Sequence, residues 1–245
     1  MKSVLITGCN GGLGKTLLES FAKQGYNIIA CVFPESEQFK EFCKEKESEY
    51  KINIKEISFN STDKEDLLRG IKEIQSIEET IDVLVNNAGI SIIKPIFNVE
   101  YEDLENTFKI NYFATVMVTK AVVEKMVRQE EGGNIVNITS MVSLGRQPGG
   151  TCYDASKAAM NQFTKALSQE LAGFNIRVNA VAAAPMNTDM FKQLTEKTQK
   201  HATKTIAMKR PAETVEVANA VMFLVSEQAS FITGDVLRVD GGAII

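Results

Sequence analysis

The chain has 245 residues, of which 44% are hydrophobic and 24% are charged, and this is the balance of an ordinary globular protein. Its formal net charge of −4 argues against non-specific binding to nucleic acid or to a membrane surface. Its four cysteines are scattered without a CxxC pair, so we predict reduced thiols and no metal site. No segment is long and apolar enough for a signal peptide or a membrane span, and together with the reduced thiols this predicts a cytoplasmic protein.

Apolar strand patterns alternate with helical patterns along the whole chain. Strands are predicted at residues 4–7, 28–32, 52–57, 81–85, 134–139, 176–181 and 236–239, and helices at 15–24, 35–50, 63–79, 101–128, 152–172 and 215–225. The strands are apolar throughout, which is typical of a parallel sheet covered by helices on both faces. Because no linker or change in composition divides the chain, we predict one α/β domain over residues 1–245, doubly wound around a seven-stranded parallel sheet.

A glycine-rich turn, Thr7-Gly8-Cys9-Asn10-Gly11-Gly12-Leu13-Gly14, separates the first predicted strand from the first helix. Because glycine has no side chain, such a turn lets backbone amides and a helix N-terminus approach a pyrophosphate. A P-loop would need a glycine in place of Cys9, and a GxGxxG motif would need one in place of Leu17, so neither of these motifs is complete. A tight turn without any ligand is the alternative interpretation.

The stretch 135–173 combines a strand, a glycine-rich loop and a long helical pattern. Ser140 ends the strand, while Tyr153 and Lys157 are four residues apart and therefore share one face of the helix. Thr151-x2-Asp154 matches a capping box that would begin this helix close to Tyr153. A phenol, a hydroxyl donor and a lysine held together would form a proton-transfer site.

Taken together, these motifs resemble the short-chain dehydrogenase/reductase family. The resemblance extends over residues 2–242 and rests on Thr7-Gly-x3-Gly12-x-Gly14, Asn86-Asn87-Ala88-Gly89, Asn111, Ser140 and Tyr153-x3-Lys157. Within the family the chain is most similar to the bacterial 3-oxoacyl-[acyl-carrier-protein] reductases. The resemblance implies a Rossmann fold and hydride transfer between a nicotinamide ring and a carbonyl or alcohol carbon.

The resemblance assigns catalytic roles to Asn111, Ser140, Tyr153 and Lys157. Tyr153 would exchange the proton, and the charge of Lys157 would lower the tyrosine pKa from its ordinary value of about 10. Lys157 would also hold the nicotinamide ribose, and Ser140 would donate a hydrogen bond to the substrate oxygen. Asn111 would distort the long helix and hold a water in a proton path through Lys157. Without the resemblance, Asn111 could equally be a solvated surface amide.

The resemblance also implies the cofactor contacts, which are Gly8, Asn10, Gly11, Gly12, Leu13, Gly14, Val32, Phe33, Asn60, Ser61, Asn87, Ala88, Gly89, Tyr153, Lys157 and Thr188. An acid at the end of the second strand would bind the adenosine ribose and repel a 2′-phosphate, but Val32 occupies that place. Gly11 and Phe33 occupy positions where phosphate-binding relatives often carry arginine, and Lys15 is the nearest cation in sequence. We expect NADP to be preferred over NAD by a small margin.

One departure from the family pattern lies in the segment beside the expected nicotinamide site. Ala183-Ala184 replace the Pro-Gly that the family usually has, so we expect the backbone there to follow another path. Residues 186–209 are expected to form a lid over the site. Its apolar residues would face an acyl or ring substrate, and its lysines would meet an acidic carrier protein, although an ordinary solvated face is the alternative. His201, in the lid, is not needed for catalysis because Tyr153 fills that role.

Three functions are compatible with these residues. The first is reduction of 3-oxoacyl thioesters, the second is oxidation or reduction of a sugar or surface-polysaccharide precursor, and the third is cofactor binding without turnover. The complete set of catalytic residues favours an enzyme acting on a small carbonyl or alcohol substrate. The resemblance further implies a homotetramer with helices 101–128 and 152–172 between subunits, through the apolar residues Phe113, Val116, Met117, Ala158 and Phe163, which fit an intrachain core equally well.

Overall fold

The computed structural model describes residues 1–193 and 195–244, and the strands in these residues form one parallel sheet. The strands are β1 (Ser3–Thr7), β2 (Asn27–Val32), β3 (Ile54–Ser58), β4 (Val83–Asn86), β5 (Gly133–Ser140), β6 (Ile176–Ala183) and β7 (Val236–Val239). Their order in the sheet is β3-β2-β1-β4-β5-β6-β7, and every pair of neighbours is parallel. The predicted seven-stranded parallel sheet is therefore confirmed.

Helices connect the strands and cover both faces of the sheet. They are α1 (Gly12–Lys23), α2 (Glu37–Tyr50), α3 (Lys64–Gln75), α4 (Tyr101–Phe108), α5 (Thr115–Met126), α6 (Thr151–Leu171), α7 (Asp189–Lys192), α8 (Glu196–Thr203) and α9 (Thr214–Val225). Among the described residues, none of these helices combines the length and the hydropathy needed to cross a bilayer.

Two hydrophobic layers, one on each face, explain why the strands are apolar at every position. In β1, Val4 and Ile6 pack in the layer formed with α1, α2 and α9, whereas Leu5 packs in the layer formed with α3, α5 and α6. All three side chains are fully buried. Successive strand residues point to opposite faces, so a sheet covered on both faces needs apolar residues throughout. The doubly wound arrangement is confirmed.

The strand order reverses at β1, and this reversal determines where a ligand can bind. After β1 the chain moves outward to β2 and β3, and then it crosses back to place β4 on the other side of β1. The connections that follow β1 and β4 diverge, which leaves a crevice at the carboxyl ends of the strands. The glycine turn after β1 and the Asn87-Ala88-Gly89 segment after β4 lie at this crevice.

The helix predicted over 101–128 is not continuous. A π-helical segment, Lys109–Ala114, separates α4 from α5. Such segments insert an extra residue into a helical turn and are frequent at functional sites. Asn111 lies within the segment, so the distortion that the resemblance implied for this position is present.

The strand predicted over 176–181 is longer than expected, because β6 continues to Ala183. Ala183 is paired with Val239 of β7, and the Ala184 N–H donates to the Val239 carbonyl oxygen at 3.0 Å. Neither alanine has a positive φ. The Ala-Ala pair therefore extends the sheet by regular pairing. Beyond it, Met186 forms a bridge with Ala212.

Most of the expected lid falls in α7, α8 and the residues that follow them. Leu194 and the side chains of Met190, Lys197 and His201 lie outside the part of the chain that the structure describes. The remaining lid residues keep the mixed character of the sequence: Ile206 is buried, while Lys204 and Lys209 are exposed.

Candidate active site

A cleft of about 570 Å³ opens at the carboxyl ends of β1, β2 and β4. Its lining contains every predicted cofactor contact other than Tyr153 and Lys157, namely Gly8, Asn10, Gly11, Gly12, Leu13, Gly14, Val32, Phe33, Asn60, Ser61, Asn87, Ala88, Gly89 and Thr188. Ile90, Ile110 and Thr115 also line the cleft, although they were not predicted from the sequence. They are apolar or small residues whose position depends on the π-helical segment, and no local motif marks them.

The glycine turn is shaped by contacts that exclude a side chain. A Cβ atom added to Gly14 would lie 2.2 Å from the Gly8 carbonyl oxygen and 2.7 Å from the Cys9 carbonyl oxygen. Within the described residues, the N-terminus of α1 has neither a side-chain cap at Gly11 nor an acidic residue in its first turn. Unpaired amides and the positive end of the helix dipole therefore meet the cleft, which fits a pyrophosphate.

Asn87 fastens the end of β4 to the glycine turn. Its side-chain amide donates to the Thr7 and Gly8 carbonyl oxygens, both at 3.0 Å. In return, the Thr7 hydroxyl oxygen accepts the backbone N–H groups of Asn87 and Ala88, each at 3.0 Å. The two segments that form the walls of the cleft are thus held together by hydrogen bonds, and their spacing is fixed without any ligand.

Asn86 has a different role from its neighbour. Its side chain is buried and donates to the Thr119 hydroxyl at 2.9 Å and to the Asn137 amide oxygen at 2.8 Å. Asn137 in turn donates to the Thr164 hydroxyl at 2.8 Å. This buried network of hydrogen bonds joins β4, α5, β5 and α6 beneath the site, so the Asn86 side chain has a structural role.

Among the described residues, no charged side chain lines the cleft. Val32 is buried at the end of β2, and the next residue, Phe33, is 53% exposed. Lys15, the nearest cation in sequence, has its Nζ 5.8 Å from the centroid of the Phe42 ring and is not part of the lining. The described lining of the cleft therefore has neither a carboxylate that would repel a 2′-phosphate nor a cation that would attract one.

Ser140, Tyr153 and Lys157 converge beside this cleft. The side chains of Ser140 and Tyr153 are hydrogen-bonded to each other. Lys157 is 6% exposed, its Nζ donates to the Ile138 carbonyl oxygen at 3.0 Å, and it lies 6.0 Å from the centroid of the Tyr153 ring. The end of β5 and the first turns of α6 thus bring together the hydroxyl, the phenol and the ammonium that the motif predicted.

Burial controls the acid–base properties of this group. It raises the pKa of the Tyr153 phenol, while the hydrogen bond with Ser140 lowers that pKa in part. Burial also lowers the pKa of Lys157 to about 8. The prediction that the Lys157 charge lowers the tyrosine pKa is therefore wrong in its net direction. Desolvation disfavours the charged form of each group, and it is the largest cause of both shifts.

Asn111 is only 1% exposed, which excludes the surface-amide interpretation. Its side-chain oxygen accepts the Ile90 N–H at 2.9 Å, and its side-chain nitrogen donates to the Ile90 carbonyl oxygen at 2.9 Å and to the Ser156 hydroxyl at 3.0 Å. A Cβ atom at Gly89 would lie 3.1 Å from the Asn111 side-chain oxygen and 3.2 Å from the Lys157 Nζ. The segment after β4 therefore contacts both catalytic candidates closely, and a Cβ atom at Gly89 would require these side chains to shift by a few tenths of an ångström.

The helix that carries Tyr153 begins differently from the prediction. Its N-cap is Gly150, and in the described structure no side chain caps it, so the capping box at Thr151 is wrong. The Asp154 carboxylate accepts the Gln147 backbone N–H, and its Oδ1 is buried without a described hydrogen-bond partner. Burial raises the pKa of Asp154 to about 6.

Comparisons with known proteins agree with this geometry. Residues 8–243 match the family model described as enoyl-(acyl carrier protein) reductase. The chain is 36% identical over 241 residues to the 3-oxoacyl-[acyl-carrier-protein] reductase FabG of Aquifex aeolicus, covering 98% of this chain and 96% of that protein. It is also 36% identical over 244 residues to a 3alpha-hydroxysteroid dehydrogenase of Mediterraneibacter gnavus, covering 99% and 96%.

A solved structure is similar over the same extent. The structure of L-sorbose reductase from Gluconobacter frateurii, in complex with NADPH and L-sorbose, has a TM-score of 0.90 and 25% identity. The match covers 99% of this chain and 97% of that one. The similarity therefore includes the glycine turn, the segment after β4 and the group around Tyr153.

Proposed function

Because the chain belongs to the short-chain dehydrogenase/reductase family and is an NAD(P)-dependent oxidoreductase, we propose that it interconverts a ketone and a secondary alcohol with Tyr153 as the proton donor and acceptor. The observation that carries this proposal is the buried group of Ser140, Tyr153 and Lys157 beside the cleft. Two hydroxyl groups placed in this way can donate hydrogen bonds and a proton to a substrate oxygen atom whose negative charge changes during the reaction.

The residues of the cleft fit a nicotinamide dinucleotide. The amides of the glycine turn would hold the pyrophosphate, Lys157 would hold the ribose next to the nicotinamide, and Thr188 would hold the carboxamide. When bound, the cofactor supplies or accepts the hydride. Asn60 and Ser61 would contact the adenine, because they follow β3 and line the cleft.

In the direction of reduction, Ser140 would donate a hydrogen bond to the carbonyl oxygen, and Tyr153 would transfer its proton to that oxygen. The carbonyl carbon gains a hydride and the oxygen gains a proton, so the product is a secondary alcohol. Since burial raises the pKa of Tyr153, the phenol stays protonated near neutral pH and is ready to act as an acid. The resting enzyme would therefore carry the proton that reduction of the carbonyl consumes.

For the substrate we propose a 3-oxoacyl thioester, as the names of similar proteins suggest. A second candidate is a keto-sugar, because L-sorbose reductase has the same fold over nearly the whole chain. Oxidation of the reduced cofactor should be followed with acetoacetyl-CoA, L-sorbose and crotonyl-CoA. We expect the highest kcat/KM with acetoacetyl-CoA. A higher value with L-sorbose would move the assignment to sugars, and turnover of crotonyl-CoA alone would contradict carbonyl reduction.

We propose a small preference for NADP over NAD. In the described part of the cleft no carboxylate stands at the end of β2 to repel the 2′-phosphate, and a similar structure contains NADPH. The preference should be small because the lining offers no arginine or lysine to bind that phosphate. Comparing kcat/KM for NADPH and NADH tests this, and a higher value for NADH would contradict it.

The thioester could be presented on an acidic acyl carrier protein. Exposed lysines of the lid, Lys204 and Lys209, would contact such a partner. We expect a lower KM for an acetoacetyl group on acyl carrier protein than on coenzyme A, with the difference reduced by salt. Equal KM values at low ionic strength would contradict a contact between the carrier and the lid. We also place the protein in the cytoplasm, since its cysteines are buried, free thiols.

We further propose a homotetramer in which α4, α5 and α6 face other subunits. Phe113 is 54% exposed and Ala158 is exposed, so neither belongs to the intrachain core, whereas Met117 and Phe163 pack partly against it. Exposed apolar side chains on these helices would be covered by assembly. Light scattering at micromolar concentration should give the mass of four chains, and a monomer would contradict the proposal.

A further inference from the structure

The face of α6 that carries Tyr153 and Lys157 continues to Asn161, which follows Lys157 by four residues. Asn161 is 6% exposed. Its side-chain nitrogen donates to the Ser143 hydroxyl oxygen at 2.8 Å, and the Ser143 hydroxyl donates to the Ser140 carbonyl oxygen. A chain of two hydrogen bonds thus leads from α6 to the backbone of the catalytic serine.

These two hydrogen bonds lie at the end of β5, where β5 no longer pairs with β4. The pairing of β4 with β5 ends at Asn86 and Asn137, whereas the pairing of β5 with β6 continues to Ser140. Beyond Asn137, therefore, β5 has a strand neighbour on the β6 side alone within the described structure. Two carbonyl groups in this last part of β5 accept hydrogen bonds from side chains: Ile138 accepts from Lys157, and Ser140 accepts from Ser143.

Asn161 also carries an unfavourable feature. Its side-chain oxygen is buried and has no hydrogen-bond partner among the residues described. A buried acceptor without a partner is destabilising, so an apolar residue of similar size would serve a purely structural site better. The bond from its nitrogen to Ser143 is the contact that gives an asparagine a function at this position.

We propose that Asn161 and Ser143 are positioning residues that fix the backbone of Ser140. They would thereby keep the Ser140 hydroxyl aligned for hydrogen bonds with the Tyr153 phenol and with the substrate oxygen. This inference rests on the proposed function of Ser140 and Tyr153. Neither positioning residue touches the reacting atoms. They act on catalysis by limiting the movement of Ser140 at the end of β5, where small displacements of a hydrogen-bond donor have large effects on rate.

The test compares Ser143→Ala, Asn161→Leu and the double variant with acetoacetyl-CoA and NADPH. Each single change should lower kcat about 10-fold, with KM for NADPH within about 2-fold of the wild type. The double variant should be no slower than the worse single variant, because each change already breaks the hydrogen-bond connection from α6 to Ser140. Ser143→Thr keeps the hydroxyl and should restore most of the rate.

Thr164→Val is the matched control. Thr164 is fully buried on the same helix and accepts the Asn137 side-chain N–H at 2.8 Å, but in the described structure it makes no hydrogen bond with Ser140 or Ser143. This change should lower the melting temperature while leaving kcat unchanged. If kcat in all variants simply followed the melting temperature, or if the effects of Ser143→Ala and Asn161→Leu multiplied in the double variant, the proposal would be overturned.

A second measurement does not require turnover. In NMR spectra of ring-labelled tyrosine, with the Tyr153 signal assigned through Tyr153→Phe, Ser143→Ala should shift the Tyr153 signal and Thr164→Val should not. An unshifted signal in Ser143→Ala overturns the positioning role even if the enzyme proves inactive with every carbonyl tested. A shifted signal in an inactive protein would support positioning of Ser140 and refute the proposed function, so the two failures are distinguishable.

Discussion

The two halves of the site are built on opposite principles. In the cleft half, at β1, β2 and β4, side chains are missing where they would obstruct: Gly14 has no room for a Cβ atom, and no charged residue lines the described cleft. In the proton-transfer half, at β5 and α6, buried polar side chains are packed together, with Ser140 and Lys157 both less than one-tenth exposed. One half offers backbone amides, and the other offers titratable side chains.

This difference indicates how each half responds to substitution. A cleft made of backbone is sensitive to volume, so changes there should alter cofactor binding. A buried polar group is sensitive to the loss of one atom or one charge, so changes there should alter kcat and its pH dependence. Gly89 lies where the halves meet, because a Cβ atom there would contact Lys157 and Asn111.

Tyr153→Phe should lower kcat by about 10³-fold, since it removes one oxygen atom that carries the transferred proton. The affinity for NADPH, measured by fluorescence titration, should stay within about 3-fold of the wild type if the two halves are independent. Tyr26→Phe is the control, because Tyr26 packs against the Phe21 ring at a centroid distance of 5.2 Å, in another part of the fold. Unchanged turnover in Tyr153→Phe would refute its role as proton donor.

Gly14→Ala should weaken NADPH binding by about 100-fold, since the new methyl group would lie 2.2 Å from the Gly8 carbonyl oxygen and would force the turn open. Gly12→Ala should have a milder effect, because its Cβ atom would meet the movable Thr188 side chain at 2.8 Å. Gly173→Ala, with no atom within 4 Å of the added Cβ, is the control. Equal affinity in all three variants would show that the turn does not hold the cofactor.

Phe33→Arg should raise the ratio of kcat/KM for NADPH to that for NADH by about 10-fold, since it places a guanidinium at the uncharged end of β2. Phe174→Arg is a matched control, because Phe174 is 52% exposed, close to the 53% of Phe33, but it does not line the cleft. A ratio that changes equally in both variants would mean that the net charge of the protein, and not the cleft, determines the preference.

Asp154→Asn should stabilise the protein at about pH 7.5 and have little effect near pH 4. Burial raises the pKa of Asp154 to about 6 in the folded protein, above its value in the unfolded chain. The stability associated with the protonated carboxyl is therefore complete below the unfolded pKa and is lost as the pH rises through about 6. We expect a melting temperature higher by about 2–4 °C at the upper pH. Asp235→Asn, an exposed site, is the control, and an equal gain there would contradict the explanation.

Four features could be predicted from the amino-acid sequence alone: the order of the elements, the parallel sheet covered on both faces, the glycine turn and the group of Ser140, Tyr153 and Lys157. These features follow from local patterns: apolar runs give buried strands, and a spacing of four residues places two side chains on one helix face. Glycine is needed at Gly14 because of a contact only a few residues away, so a short motif could reveal it.

How these parts act on one another could be seen only in the folded protein. The tertiary structure showed that burial raises the pKa of Tyr153 despite the nearby Lys157, that the Asn111 side chain binds the Ile90 backbone, and that Asn161 reaches Ser140 through Ser143. Each of these results depends on residues distant in sequence or on the exclusion of water. Desolvation and long-range hydrogen bonds are set by packing, and a sequence pattern carries no direct record of them.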